Sequence, residues 1–149
     1  MSSSVRRILA ATDRSETADR AAAWAAEMAE RYGAELVLVQ VVPPESPGDS
    51  PVADEALTDL RSLGTQLAGA RARARVAVDP DPSRAICGAA EEEGADVLVV
   101  GGVGMSGRKE FLLGNVPNRV SHQAPCTVVI VDTRRTGKDR LGRLLRRDR

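Results

Sequence analysis

Residues 101–115, GGVGMSGRKEFLLGN, hold five of the chain's thirteen glycines. The stretch follows the apolar run ADVLVV and leads into VPNRVSHQAP. Two residues separate Gly101 from Gly104, nine separate Gly104 from Gly114, and Asn115 comes next. Glycines at both edges let backbone N–H groups approach a bulky anion. A helix starting near Asn115 adds unpaired N–H groups and the positive end of its dipole. The chemistry this spacing suits is phosphate binding, with a strand end as one jaw and a helix start as the other. A glycine-rich surface turn without a ligand is the plain alternative. Two familiar phosphate loops are excluded. No Gly-Lys-Ser/Thr stands at Walker spacing, and the dinucleotide fingerprint belongs after the first strand and runs tightly into its helix.

No catalytic set accompanies this loop. His122 is the only histidine and has no triad partner in the sequence. Ser15 reads as a first-turn helix residue, whereas Ser106 lies in the loop and could touch a phosphate. Cys87 and Cys126 have no His or Cys at ligand spacing, so they read as small buried hydrophobes in a reducing compartment. No catalytic residue and no metal ligand is therefore expected, which argues against a nucleotide hydrolase.

The elements that must position the loop can be read from periodicity. Five short apolar runs recur: 7–12, 34–42, 72–78, 95–100 and 126–131. Four are near-continuous Val/Ile/Leu runs, as in strands buried on both faces. The third, ARARVAV, alternates Arg with Ala and fits an edge strand with one wet face. Helices are predicted over about 15–32, 52–69, 82–93 and 115–123. In the first, Ala22, Ala25, Met28, Ala29 and Tyr32 share one face. Asp13 and Glu16 have capping-box spacing at its start, and Gly33 is a fitting stop. In the third, Asp81 caps, Pro82 takes the first helical position and Gly94 ends it. Trp24 reads as a core or interface anchor. Strand–helix alternation implies an α/β domain with a mostly parallel sheet and helices on both faces. Such sheets bind ligands beyond the carboxyl ends of their strands, where strand order switches. Thr12–Asp13, Val41–Val42 and the glycine loop would all reach that edge.

Composition agrees. The 149 residues are the size of one domain, with 42% hydrophobic and 28% charged residues. Aromatics make up only 2%, so Ala, Val, Leu and Ile must build the core. Net charge is zero but uneven. Residues 133–149 carry eight basic and two acidic residues, a net +6, which leaves thirteen basic against nineteen acidic, a net −6, in 1–132. A mildly acidic body is not the footprint of a nucleic-acid-binding domain. No apolar run has membrane-spanning length, and the four-residue run near the start is too short for a signal peptide, so a soluble, cytoplasmic chain is expected. Residues 133–149 are expected to be a mobile basic tail. Leu141, Leu144 and Leu145 stand there at helical spacing, suiting a short amphipathic helix on a membrane or partner.

The pattern Gly-x2-Gly-x9-Gly followed by a small polar residue resembles the universal stress protein family. ILAATDRSETADRA is similar to that family's first strand and helix start, AELVLVQVV to its second strand, and GADVLVVGGVGMSGRKEFLLGNV to its fourth strand and loop. SHQAPCTVVIV is similar to its closing Ala-Pro-Cys and fifth strand. The resemblance covers about residues 5–132. It implies a three-layer, Rossmann-like α/β sandwich with five mostly parallel strands in the order 3-2-1-4-5 and four helices, over 1–132. It also implies an ATP-binding regulatory protein in stress response with little or no hydrolysis. Asp13 and Val41 would lie at the adenine and ribose, with Ala11 and Thr12 as the wall beside them. Gly101, Gly102 and Gly104 would let the chain pass under ribose and phosphates, and Gly114, Asn115 and Val116 would receive the phosphates. Mg²⁺ would accompany the phosphates with few protein ligands. The family's homodimer would form through the strand at 126–132.

Two positions depart from the family's pattern. Asn115 stands where the ATP-binding branch has Ser or Thr, and Pro117 where Ser or Ala is usual. An amide is a longer donor than a hydroxyl, and proline has no N–H. One lost hydrogen bond to a charged phosphate is worth roughly 1.5–3 kcal/mol. Charge on Arg108 or Lys109 could offset it. A dimeric interaction module of the same fold that binds no nucleotide is the alternative reading.

Overall fold

A computed structural model describes residues 5–44, 51–102 and 115–133. Strands β1 (Arg7–Ala11), β2 (Glu35–Val42), β3 (Ala72–Val78), β4 (Val97–Gly101) and β5 (Thr127–Val131) alternate with helices α1 (Glu16–Tyr32), α2 (Pro51–Ala68), α3 (Pro82–Glu93) and α4 (Asn115–Gln123). One turn of 3-10 helix, Gly69–Arg71, joins α2 to β3. All four strand pairings are parallel, and the order is β3-β2-β1-β4-β5. The expected Rossmann-like three-layer sandwich is what forms.

The pleat divides the core in two. Ile8, Ala10, Leu36, Leu38 and Val99 face a cluster built on α1 and on Leu60 of α2. Leu9, Ala11, Val37, Val39, Leu98 and Val100 face Ile86, Ala89 and Ala90 of α3 and Val116 and Val120 of α4. Alanine is what α1 brings: Ala18, Ala21, Ala22, Ala25, Ala26 and Ala29 are all buried. Small side chains let that helix lie close on the sheet without strain. Tyr32, expected on the same face, is instead 45% exposed. It sits in the last turn, beside an open groove between α1 and the strands rather than inside the core.

Local chemistry explains most of the boundaries. Asp81 accepts from Arg84 N at 3.3 Å, Pro82 opens α3, and Gly94 closes it at φ 63°. Gly33 closes α1 in the same left-handed conformation, at φ 65°. The start of α1 corrects the capping-box expectation. Ser15 is the N-cap, its Oγ accepting from Ala18 N at 3.2 Å, and Asp13 turns its Oδ1 to Ser15 N at 2.9 Å. Ser15 therefore precedes the helix rather than lying in its first turn. The carboxylate two residues earlier makes an Asx turn that leads into the cap.

The edge strand β3 is also less wet than its arginines suggest. Arg73 pairs with Glu93 and, at 3.6 Å, with Glu35. Arg75 reaches Glu92 at 2.6 Å and Glu93 at 3.2 Å. Arg7 joins from β1, through Glu35 at 3.4 Å and the Glu93 carbonyl. One network of three arginines and three glutamates thus clamps the edge strand to the end of α3. Hydrogen bonds to Glu92 and Glu93 hold the half-buried Arg75 firmly charged against the cost of its burial.

Candidate functional site

Strand order switches between β1 and β4, since β2 and β3 lie to one side and β5 to the other. Ala10 stands opposite Val99, so β1 and β4 end at the same level. A crevice beyond these carboxyl ends is where ligands bind in doubly wound sheets.

The β1 end is tightly built. Thr12 is buried, and its N donates to Val39 O at 2.9 Å, continuing the ladder one residue past the strand. Its Oγ1 donates to Asp19 Oδ1 at 2.8 Å and accepts from Arg14 N at 2.9 Å. Arg14 has φ 69°, the left-handed region that a side chain disfavours. Its Nε meets both Asp19 oxygens, at 3.2 and 3.3 Å, which offsets that strain. The half-buried Asp13 thereby sits just past β1 at the carboxyl edge of the sheet, with four local hydrogen bonds around it. Asp19 and Arg14 escaped the sequence reading. The only signal was an acidic residue in the first turn of α1, on the side facing the strand end.

Ala11, Val41 and Val116 come together on one side of the sheet. Ala11 and Val116 are buried in the α3/α4 cluster, and Val41 packs against it. Val116 and Val120 anchor α4, so its first turn opens at the carboxyl edge. Pro117, the third residue of that helix, is buried. Arg119 pairs with Asp81 Oδ2 at 3.2 Å and ties α4 to the cap of α3. The Arg84 guanidinium, followed by the Asp81 N–H, holds the neighbouring Asp79 carboxyl below the usual carboxylate range.

At the β4 end, Gly101 and Gly102 lie beside β5. Gly102 N donates to Val131 O at 2.8 Å. A Cβ on Gly102 would meet Ile130 Cγ2 at 3.1 Å and Val131 O at 3.2 Å. One on Gly101 would meet Thr133 and Ala21 at ordinary distances, 3.5 Å and beyond. Gly102 thus has a packing reason, close approach to the neighbouring strand, besides any ligand. Gly104, Ser106, Arg108, Lys109 and Gly114 lie outside the described residues, as does the side chain of Asn115. Cys87 and Cys126 are half-buried rather than fully buried, both against the α3/α4 cluster. Sequence separation hid that they share this face. No described helix is long and apolar enough to cross a membrane.

Residues 4–132 match the Universal stress protein family. The chain belongs to that family. A universal stress protein of Thermus aquaticus, encoded in the QAH/OAS sulfhydrylase 3' region, is 33% identical over 135 residues, covering 85% of this chain and 98% of that protein. In Synechocystis the universal stress protein Slr1101 matches more locally, 44% over 52 residues, or 35% of this chain and 48% of that one. Among solved structures, a universal stress protein in complex with cAMP superposes with a TM-score of 0.71 at 28% identity, covering 88% of this chain and 99% of that one. The universal stress protein of Archaeoglobus fulgidus in complex with dAMP shares the fold, with a TM-score of 0.65 at 22% identity over 89% of this chain and 100% of that one.

Proposed function

We propose that this universal stress protein is an adenine-nucleotide-binding regulator in stress response, taking ATP with Mg²⁺ at the carboxyl edge and hydrolysing it little or not at all. The observation that carries the reading is convergence: Thr12–Asp13, Gly101–Gly102 and the first turn of α4 meet at the switch in strand order. The cAMP complex of a family member at 28% identity supports an adenine nucleotide as the kind of ligand. Asp13 offers carboxylate oxygen to the ribose, Ala11 and Val41 supply apolar surface for the base, and Thr12 keeps the loop in place. Gly101, Gly102 and Gly104 carry the chain under ribose and phosphates. Gly114, Asn115 and Val116 receive the phosphates, with backbone N–H groups of the first turn of α4 as donors. Mg²⁺ would add charge neutralisation between phosphate oxygens and draw few ligands from the protein.

The regulator acts as a homodimer in the cytoplasm, paired through residues 126–132. β5 is an edge strand, and Ile130 on it is 49% exposed, an apolar edge that pairing would cover. A dimeric module without nucleotide is the second reading, and Asn115 and Pro117 favour it.

Calorimetric titration with ATP, ADP and AMP, with and without Mg²⁺, separates the two. No heat at about 1 mM ligand, where a site worth only about 4 kcal/mol half-fills, would overturn the nucleotide reading. If heat is seen, Gly114→Val should abolish it, because a side chain there fills the phosphate jaw. Ile130→Lys should leave binding and yield monomer in sedimentation. A dimer that persists would rule out the β5 interface.

A further inference from the structure

The α1-facing side of β5 carries an open apolar groove of about 360 Å³. Trp24, Met28 and Tyr32 of α1 form one wall, and Val97, Thr127 and Val129 of β4 and β5 form the other. Asp96 stands at its amino end. The groove is not the candidate nucleotide site, which lies at the opposite, carboxyl end of the strands.

The chain itself leaves β5 on this side. Thr127, Val129 and Val131 alternate onto the α1 face, and Thr133 continues the series. Thr133 is buried, and its carbonyl accepts from Arg20 Nη1 of α1 at 2.9 Å. Thr133 and Ala21 both lie within 4 Å of the place a Gly101 Cβ would occupy. The backbone is therefore pinned to α1 at the top of the stripe Ala21, Trp24, Met28, Tyr32, which runs down into the groove.

We infer that the segment 134–149 docks in this groove as an amphipathic turn of helix, with Leu141, Leu144 and Leu145 against Trp24, Met28 and Tyr32. The reach is sufficient. From Ala21 to Tyr32 the stripe descends about 16 Å at 1.5 Å per residue. Residues 134–140 span up to about 23 Å when extended. A helix over 140–147 is about 12 Å long, the length of the wall from Trp24 to Tyr32. The three leucines fall within one face of that helix, and Arg140, Arg143, Arg146 and Arg147 fall outside it. Charge acts in the same direction, since a segment of net +6 meets a body of net −6. A second copy of the chain is the rival occupant.

Trp24 is the only tryptophan, so it reports on the groove directly. The test is acrylamide quenching of Trp24 in the full chain, in a Leu144→Asp/Leu145→Asp variant and in a Leu144→Met/Leu145→Met variant, each over a dilution series. Docking predicts a larger quenching constant and a red-shifted emission in the Asp variant at every concentration. The Met variant should match the parent, and the Asp variant should lose no more helical far-UV signal than the docked segment supplies. Equal quenching in parent and Asp variant would overturn the inference. Quenching that rises on dilution to the same extent in both would assign the groove to a second copy and overturn it as well.

Discussion

Thr12 Oγ1 donates to Asp19 Oδ1 at 2.8 Å, and this bond joins the end of β1 to the first turn of α1. The same carboxylate holds Arg14 in its left-handed conformation. One side chain thus positions both residues flanking Asp13. Asp19→Ala leaves the buried Thr12 hydroxyl without its acceptor and Arg14 without its anchor. It should cost about 1–3 kcal/mol in urea denaturation. Asp19→Asn keeps an acceptor oxygen for Thr12 and should cost less. If the lip of the crevice binds ribose, both variants should also weaken ATP in calorimetry, in the same order.

Gly101 and Gly102 are adjacent in sequence but answer to different neighbours. A methyl on Gly102 presses on Val131 O and Ile130 at 3.1–3.2 Å, and a backbone carbonyl cannot rotate away. Gly102→Ala should destabilise by about 1–3 kcal/mol, as overpacking does. Gly101→Ala meets only ordinary contacts at 3.5–3.8 Å and reduces unfolded-chain freedom. It should be neutral or stabilising by up to about 1 kcal/mol. Thermal denaturation of the two variants side by side checks the contrast.

Glu93 bridges Arg73 and Arg75 of the edge strand, with its side chain only 16% exposed. Glu93→Gln should cost about 1 kcal/mol, the upper part of the range for partly exposed pairs, because it serves two arginines at once. The loss should shrink as salt is raised, since screening weakens the parent's network. A cost unchanged between low and high salt would show that packing of the side chain, not its charge, is what matters.

What was legible in the sequence divides along the range of the interactions. Asp81, Pro82 and Gly94 bound α3 as expected, because caps and stops act within four residues. The carboxyl-edge placement of Thr12, Asp13 and Gly101 followed from strand–helix alternation alone. Ser15 displaced Asp13 as the cap because both are cap-forming residues two positions apart. Only the turn through Arg14 decides between them. The α3 partners of Arg73 and Arg75 lie 17 to 20 residues away, and Glu35, the other partner of Arg73, lies on β2. The packing reason for Gly102 depends on the β4–β5 register. Neither could be read before the sheet was assembled.

Both cysteines should be slow to react. Burial first, then the Asp81 carboxylate, push the Cys87 thiol up, although Arg119 draws it partly back. Burial, Cys87 and Asp96 push the Cys126 thiol up. The folded state therefore keeps these protons at a pH where the unfolded chain would release them. Their contribution to stability is fully present at neutral pH and is lost as pH rises beyond about 8.5, through the raised folded values. Urea midpoints should fall over that range, and fall less in Cys87→Ser/Cys126→Ser. At neutral pH, thiol labelling of the native chain should be much slower than labelling in denaturant.

Pro117 poses the sharpest trade. It is the third residue of α4, where an N–H would have no partner inside the helix and could serve a phosphate. Pro117→Ser restores that donor, and Asn115→Ser replaces an amide by the Ser or Thr hydroxyl of the ATP-binding branch that this stretch resembles. Each gained bond to a charged phosphate is worth roughly 1.5–3 kcal/mol, so ATP should tighten by about one to two decades per donor. Pro117 is also buried, and its ring restricts the unfolded chain. Pro117→Ser should therefore lower the stability of the ligand-free protein by about 1 kcal/mol while raising affinity. Asn115→Ser at the helix start should raise affinity with little change in stability. Affinity that falls or stays level in both variants would mean that the first turn of α4 does not face the phosphates.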